Sequence, residues 1–242
     1  MANNKVIIVE GIIGVGKTTL ARELAESLNS KSENPNKQTL LLEEPDERED
    51  GNPYLKPYYE DPERWAFTLQ AHMLARRFRM QLQAQWHVMN RSGHAVLDRS
   101  YQGDTCFAKM LVKDNVLNEQ EFETYRLLYQ AMTASVLLPQ ICIRLMTQPS
   151  TALARINERL SEREGRKCES GISLDYLKNL DAEVTEMCQT LGSQGVRVIE
   201  LIWDEPRRTR DERKPVIDLL AEEVLNTEPN DLFTQHHKRV IG

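Results

Sequence analysis

The sequence predicts a three-layer α/β fold, with a five-stranded parallel sheet and helices on both of its faces. Three observations carry that prediction. Short β-branched apolar runs alternate with stretches of helical periodicity along nearly all of the 242 residues. A glycine-rich turn joins the first run to the first helical stretch. Glu10, Glu44 and Asp98 each close a run, and ligands of a parallel sheet gather at the carboxyl ends of its strands.

The elements follow in order. Lys5 to Glu10 is an apolar run of the kind buried on both faces. Lys17 to Leu28 is a helix with Leu20, Leu24 and Leu28 on one stripe. Ser30 to Lys37 is a loop rich in Ser, Asn and Pro, and Thr39 to Glu44 is a second strand stopped by Pro45. Asp46 to Pro57, broken by Gly51, Pro53 and Pro57, is a loop or irregular cover. Asp61 to Asn90 is a long helix: Asp61 can cap it, Pro62 suits its first turn, and Trp65, Leu69, Met73, Phe78, Leu82, Trp86 and Met89 recur at helical spacing. His94 to Asp98 is the third strand, followed by helices over Asp104 to Val112 and Glu119 to Leu138. Gln140 to Met146 is the fourth strand, and helices cover Ser150 to Leu160 and Ser173 to Leu191. Val196 to Ile202 is the fifth strand, and Pro215 to Leu225 the last helix. Residues 1–226 thus form one domain, and 227–242 a loosely held tail.

Composition narrows the function. A net charge of −6 argues against a nucleic-acid polymer as main partner, because neutralising phosphates takes surplus Lys and Arg. Cys106, Cys142, Cys168 and Cys188 are scattered, with no paired spacing, as expected of reduced thiols in a cytoplasmic protein. The first residues run directly into a strand pattern rather than a signal peptide. Val136 to Met146, broken by Pro139, Gln140 and Arg144, falls short of the ~20 residues that span a bilayer, so no membrane partner is expected.

Gly11-Ile-Ile-Gly14-Val15-Gly16-Lys17-Thr18-Thr19 fits the phosphate-loop pattern G-x-x-x-x-G-K-[ST]. Its glycines let successive backbone N–H groups point at phosphate oxygens, and the following helix aims its positive end at the same place. Lys17 would reach the β- and γ-phosphates of ATP, and the Thr18 hydroxyl would ligate Mg²⁺. The fold is therefore of the P-loop NTPase type. Kinases, GTPases and motor ATPases all carry this loop, so it leaves the acceptor open.

Further stretches narrow the acceptor: Glu43-Glu44-Pro45, Asn52 to Leu55, Tyr59 to Gln70, Leu97-Asp98-Arg99-Ser100 and Ile172 to Leu177. Together with Val9 to Thr19, they resemble the deoxyribonucleoside kinase family, above all its bacterial deoxyguanosine and deoxyadenosine kinase branch. The resemblance spans most of the chain in the family's order. It implies transfer of the ATP γ-phosphate to the 5′-hydroxyl of a deoxyribonucleoside for nucleotide salvage, with purine deoxynucleosides preferred and deoxycytidine possible. It also implies a homodimer.

The resemblance distributes roles over the site. Glu44 is the general base that takes the proton of the 5′-hydroxyl. Asp98 helps hold Mg²⁺, and Arg99 contacts the 5′-oxygen and Glu44, keeping the base ionised and screening charge on the moving phosphoryl group. Gln70, Met73 and Arg77 share a face of the long helix. Gln70 offers a donor and an acceptor to the base edge, while Asp104 orients Arg77. Tyr59 resembles the family residue that binds the sugar 3′-hydroxyl. Residues 155–171 resemble an arginine-rich lid, longer than is usual in the family. Arg159, Arg163 and Arg166 are its phosphate candidates, with Arg155 a further possibility, and Glu169 is a second sugar contact. Against these positions stand plainer readings: a strand-end carboxylate, a helix cap at Ser100 or Asp98, and a solvated helix face.

Two rival functions share part of the pattern. A thymidylate-kinase-like nucleoside monophosphate kinase has the phosphate loop, a Glu-Pro pair and an Asp-Arg pair. However, that family carries a glycine after Glu-Pro, where this chain has Asp46. A nucleotide-switched binding protein would need no acceptor pocket.

Overall fold

The computed structural model describes residues 4–32, 34, 36–44, 52–90, 93–161, 171–205, 207–228 and 239–241. The five expected strands form: β1 (Val6–Glu10), β2 (Leu40–Leu42), β3 (Ala95–Asp98), β4 (Ile141–Met146) and β5 (Arg197–Ile202). A short sixth strand, β6 (Arg239–Ile241), lies within the segment expected as a tail and pairs with β5, with Ile199 opposite Arg239. The free edge of β5 offers unpaired backbone groups that such a segment can satisfy. The sheet is parallel throughout, in the order β2-β3-β1-β4-β5-β6.

The helices are α1 (Lys17–Ser30), α2 (Leu55–Glu60), α3 (Pro62–Met89), α4 (Tyr101–Lys113), α5 (Glu119–Thr133), α6 (Pro149–Ser161), α7 (Leu174–Ser193) and α8 (Arg210–Asn226). Every residue of β1 and β3 is buried, because helices pack on both faces of the sheet. The capping expected for the long helix is present: the Asp61 side chain accepts from the Arg64 N–H, and Pro62 opens α3.

Several boundaries depart from expectation: β2 stops at Leu42, so Glu44 lies two residues beyond the strand it was expected to close, and α5 stops at Thr133 rather than Leu138. Part of the predicted 46–57 loop is α2, whose Pro57 falls in the first turn, where no helical N–H partner is needed. α4 begins at Tyr101 because the Ser100 hydroxyl accepts from the Gly103 N–H at 3.0 Å. α8 begins five residues before Pro215, because Thr209 and Glu212 form a reciprocal capping box that outweighs one missing helical bond at the proline. Among the described residues, no helix is long and apolar enough to cross a membrane.

Candidate active site

The central strand β1 delivers the phosphate loop. Gly14 has φ +82°, and a Cβ there would lie 2.7 Å from the Ala152 carbonyl oxygen of α6. The loop can therefore press against α6 only with glycine at this position. Gly16, at φ +101°, turns the chain into α1. The Lys17 ammonium is buried and donates to the Ile12 carbonyl at 2.7 Å. Burial, with Arg99 nearby, holds it down at about 7, while Asp98, Glu10 and Glu44 partly compensate.

A cavity of about 650 Å³ opens at the carboxyl ends of the strands. Gly14, Gly16, Lys17, Thr18 and Thr19 line one part, and Gln70, Met73, Arg77 and Asp104 another. Glu44, Asp98, Arg99, Tyr59 and Arg159 also border it. Gly11 and Val15 do not. Gly11 lies against the Leu145 carbonyl, and the Val15 side chain is in the core, so these two can serve a phosphate only through the backbone. Arg163, Arg166 and Glu169 lie outside the described residues.

The acidic residues expected at strand ends meet the expected cations. The Thr18 hydroxyl donates to Asp98 Oδ2, while the buried Asp98 Oδ1 has no partner among the described residues. Arg99 adopts φ +71°, a left-handed conformation costly for a side chain of this size and a recurrent mark of functional positions. Its Nε lies 2.9 Å from Glu44 Oε2, and its guanidinium stands 4.9 Å from the centre of the Phe107 ring. Arg77 donates through Nη2 to Glu44 Oε1 and through Nη1 to Asp104 Oδ1. Burial would raise the Glu44 carboxyl, but Arg77 and Arg99 outweigh it and hold Glu44 at about 2. Burial likewise opposes the charge on Arg77, yet Glu44 and Asp104 keep the guanidinium firmly protonated.

The Arg77–Asp104 pair is therefore formed as the resemblance implied. It is also joined to Glu44, which the sequence did not show. Gln70 is buried at the cavity wall, and its Oε1 has no partner among the described residues. Met73 Sδ accepts from Asn52 Nδ2 at 3.3 Å. Tyr59 is 47 % exposed on α2, its ring edge-on to Tyr58.

Arg155 does not line the cavity. Its guanidinium donates to the carbonyls of Val15, Trp203, Asp204 and Glu205, tying α6 to the phosphate loop and to the segment after β5. Ser100 caps α4, as the plainer reading had it, and also donates to Glu10 Oε1 at 2.5 Å. Sequence reasoning missed Phe107, which packs under Arg77 and Arg99, along with the lining residues Tyr58 and Tyr176. Phe107 follows Asp104 by one helical turn, and Tyr176 lies inside the matched Ile172–Leu177 stretch, so both carried a usable signal.

A description of the "Deoxynucleoside kinase" family matches residues 7–226. The chain belongs to the deoxynucleoside kinase family. It is a kinase of α/β fold. Among its relatives, a deoxyadenosine kinase of Dictyostelium discoideum is 36 % identical over 199 residues, covering 82 % of this chain and 72 % of that one. A deoxyadenosine/deoxycytidine kinase of Bacillus subtilis (strain 168) is 35 % identical over 180 residues, covering 73 % of each. The solved structure of a deoxyadenosine kinase from M. mycoides with bound dCTP superposes with a TM-score of 0.67. At 22 % identity, over 90 % of this chain and 99 % of that one, this likeness establishes the shared fold of the kinase.

Proposed function

We propose that this kinase transfers the γ-phosphate of ATP to the 5′-hydroxyl of a deoxyribonucleoside, preferring purines, accepting deoxycytidine and using thymidine poorly. The observation that carries the reading is the position of Glu44. One of its carboxylate oxygens meets Arg77, which is paired to Asp104, and the other meets Arg99, beside the phosphate-loop partner Asp98. A hydroxyl bound there lies between a base-reading pair and a phosphate cradle. The names of the two relatives support deoxyadenosine and deoxycytidine as acceptors.

Each residue then has a task. Glu44 keeps a spare lone pair on each oxygen and orients the 5′-hydroxyl. Held at about 2, its carboxylate is a weak base, so it takes the proton late, once the new phosphorus–oxygen bond has made the hydroxyl acidic. Arg99 neutralises the equatorial oxygens as charge moves. Lys17 exchanges the Ile12 carbonyl for phosphate oxygens. Gln70 and Arg77 meet the base edge, Phe107 and Met73 its apolar faces, and Tyr59 and Glu169 the sugar.

The Thr18 hydroxyl beside Asp98, with one buried Asp98 oxygen that has no partner among the described residues, fits a hard cation bound through oxygen. Thr18 and Asp98 would hold Mg²⁺ there, and the ion would supply charge neutralisation at the β- and γ-phosphates. Arg159, Arg163 and Arg166 complete the phosphate contacts from the lid. The homodimer implied by the resemblance is supported by an exposed apolar strip on α3, where Leu82, Trp86 and Met89 recur at helical spacing and Trp86 is 71 % exposed. Free, buried thiols at Cys106, Cys142 and Cys188 support a cytoplasmic setting.

The test is ADP release from ATP with each of the four deoxynucleosides, with dTMP, and with no acceptor. Turnover with purine deoxynucleosides is expected. Turnover with dTMP alone would assign a nucleoside monophosphate kinase instead.

A further inference from the structure

Tyr125 has no part in the function described above, yet it holds one of the side chains that does. It lies on α5, is 1 % exposed and does not line the cavity. Its ring sits in a cluster with Leu74, Tyr101 and Ala108, flanked by Phe122 and Tyr129. A phenylalanine would fill that space equally well. The hydroxyl has a specific partner instead: it donates to Asp104 Oδ2 at 2.7 Å. Asp104 Oδ1 accepts from Arg77, and Arg77 continues to Glu44 and from there to Arg99. One hydrogen bond from α5 thus anchors the far end of a four-member chain of charges leading to the acceptor hydroxyl.

We propose that Tyr125 is a positioning residue for acceptor recognition: its hydroxyl holds Asp104 aimed at Arg77, so that Arg77 divides its charge between Asp104 and Glu44. The proposal rests on the deoxynucleoside kinase reading of the same site. Asp104 is fully buried and faces Arg77 from α3, Tyr125 and Tyr129 from α5, and Glu44 from beyond β2. Burial holds its carboxyl above the ordinary value and Glu44 adds to that, while Arg77 and the Tyr125 hydroxyl offset part of the rise. Without the hydroxyl, Asp104 takes a proton more readily. A neutral Asp104 releases Arg77, which then closes on Glu44 alone: the base loses its fixed reader, and the carboxylate meant for the 5′-hydroxyl is more tightly held.

The experiment compares Tyr125→Phe with Tyr129→Phe, which removes a neighbouring hydroxyl that makes no bond to Asp104. Steady-state kinetics are run from pH 5 to 9 with the four deoxynucleosides. In Tyr125→Phe, kcat/KM for the preferred deoxynucleoside should fall about ten-fold at pH 7, with the KM for ATP unchanged. The acid limb of kcat/KM should move up by roughly one to two pH units, the effect of losing one hydrogen bond to a charged group, and activity should recover at higher pH. Tyr129→Phe should keep the wild-type profile. Fluorotyrosine at position 125 retains ring and hydroxyl, and as a stronger donor it should move the acid limb down.

An acid limb unmoved in both Tyr125 variants would overturn the proposal. So would an equal loss at every pH accompanied by a lower Tm, which marks a merely structural tyrosine. Failure of the wild-type protein to phosphorylate any deoxynucleoside would instead remove the functional reading beneath it.

Discussion

At the phosphate end of the cavity the cation is held by backbone: Lys17 donates to the Ile12 carbonyl and is drawn down to about 7 by burial and by Arg99. At the end proposed for the base, the cation is held by side chains from distant parts of the chain. Arg77 of α3 stands between Asp104 of α4 and Glu44 beyond β2, and stays fully charged. The difference suits two kinds of ligand. Phosphates bring their own negative charge, so the loop keeps its lysine on a neutral carbonyl that can be released. A nucleoside brings none, so on the proposed reading Arg77 must carry its counter-charges with it, or a buried cation would stand unpaired.

Removing the charge at the phosphate end should therefore have the largest effect. Lys17→Ala is expected to remain folded and to lose nearly all turnover, measured as ADP release at saturating acceptor. Normal activity in the folded variant would end the proposed mechanism.

The joint between the two ends comes next. Glu44→Gln keeps the shape and should lower kcat by roughly 10²–10⁴, with little change in ATP affinity. Because Glu44 is held at about 2, below its ordinary value of 4.5, it stays ionised through the working range, and no acid limb of kcat above pH 5 belongs to it. The same depression makes its contribution to stability complete above about pH 4.5 and lost as pH falls toward 2. The gap in Tm between wild type and Glu44→Gln should accordingly close over that window. A gap that stays constant down to pH 2 would show that the Arg77 and Arg99 contacts do not set this carboxyl.

At the base end, Asp104→Ala deprives buried Arg77 of one of its two carboxylates. It should cost about 3 kcal/mol, at the low end for a broken buried pair, because Glu44 remains. Chemical denaturation measures that cost, and turnover of purine deoxynucleosides should fall severely. The double variant Arg77→Met with Asp104→Ala removes the charge and opens room, so relative thymidine activity should rise. An unchanged base ranking would show that this pair does not read the base.

The smallest effect is expected one residue from the largest carboxylate effect. Glu43 pairs with Arg22 at 2.8 Å on an exposed face, and an exposed pair is worth little. Glu43→Ala should change stability by less than about 0.5 kcal/mol and leave kcat unchanged. A large loss of kcat would mean that the two adjacent glutamates share the catalytic task.

The two ends also differ in what could be foreseen. Strand order aside, the sheet and the phosphate loop were legible in the chain, because both rest on local rules. β-branched runs alternate with helical stripes, and residues 11–19 form one contiguous turn whose glycines and lysine are chemically committed. The Asp61–Pro62 start of α3 was local in the same sense. Where local rules competed, boundaries moved: the Thr209–Glu212 capping box overrode Pro215, and β6 formed because a distant strand edge was open to it.

The base end follows no local rule. Arg77 and Asp104 are 27 residues apart and Arg77 and Glu44 are 33 apart, so only the packing of α3 beside α4 joins them into one charged chain. The sequence by itself determined which chemical groups this kinase owns and which local turns present them. Only the tertiary structure decided that Arg77 serves two carboxylates and that Tyr125 stands behind Asp104. Buried charges choose partners by proximity and desolvation, and neither is written in the spacing of residues along a chain.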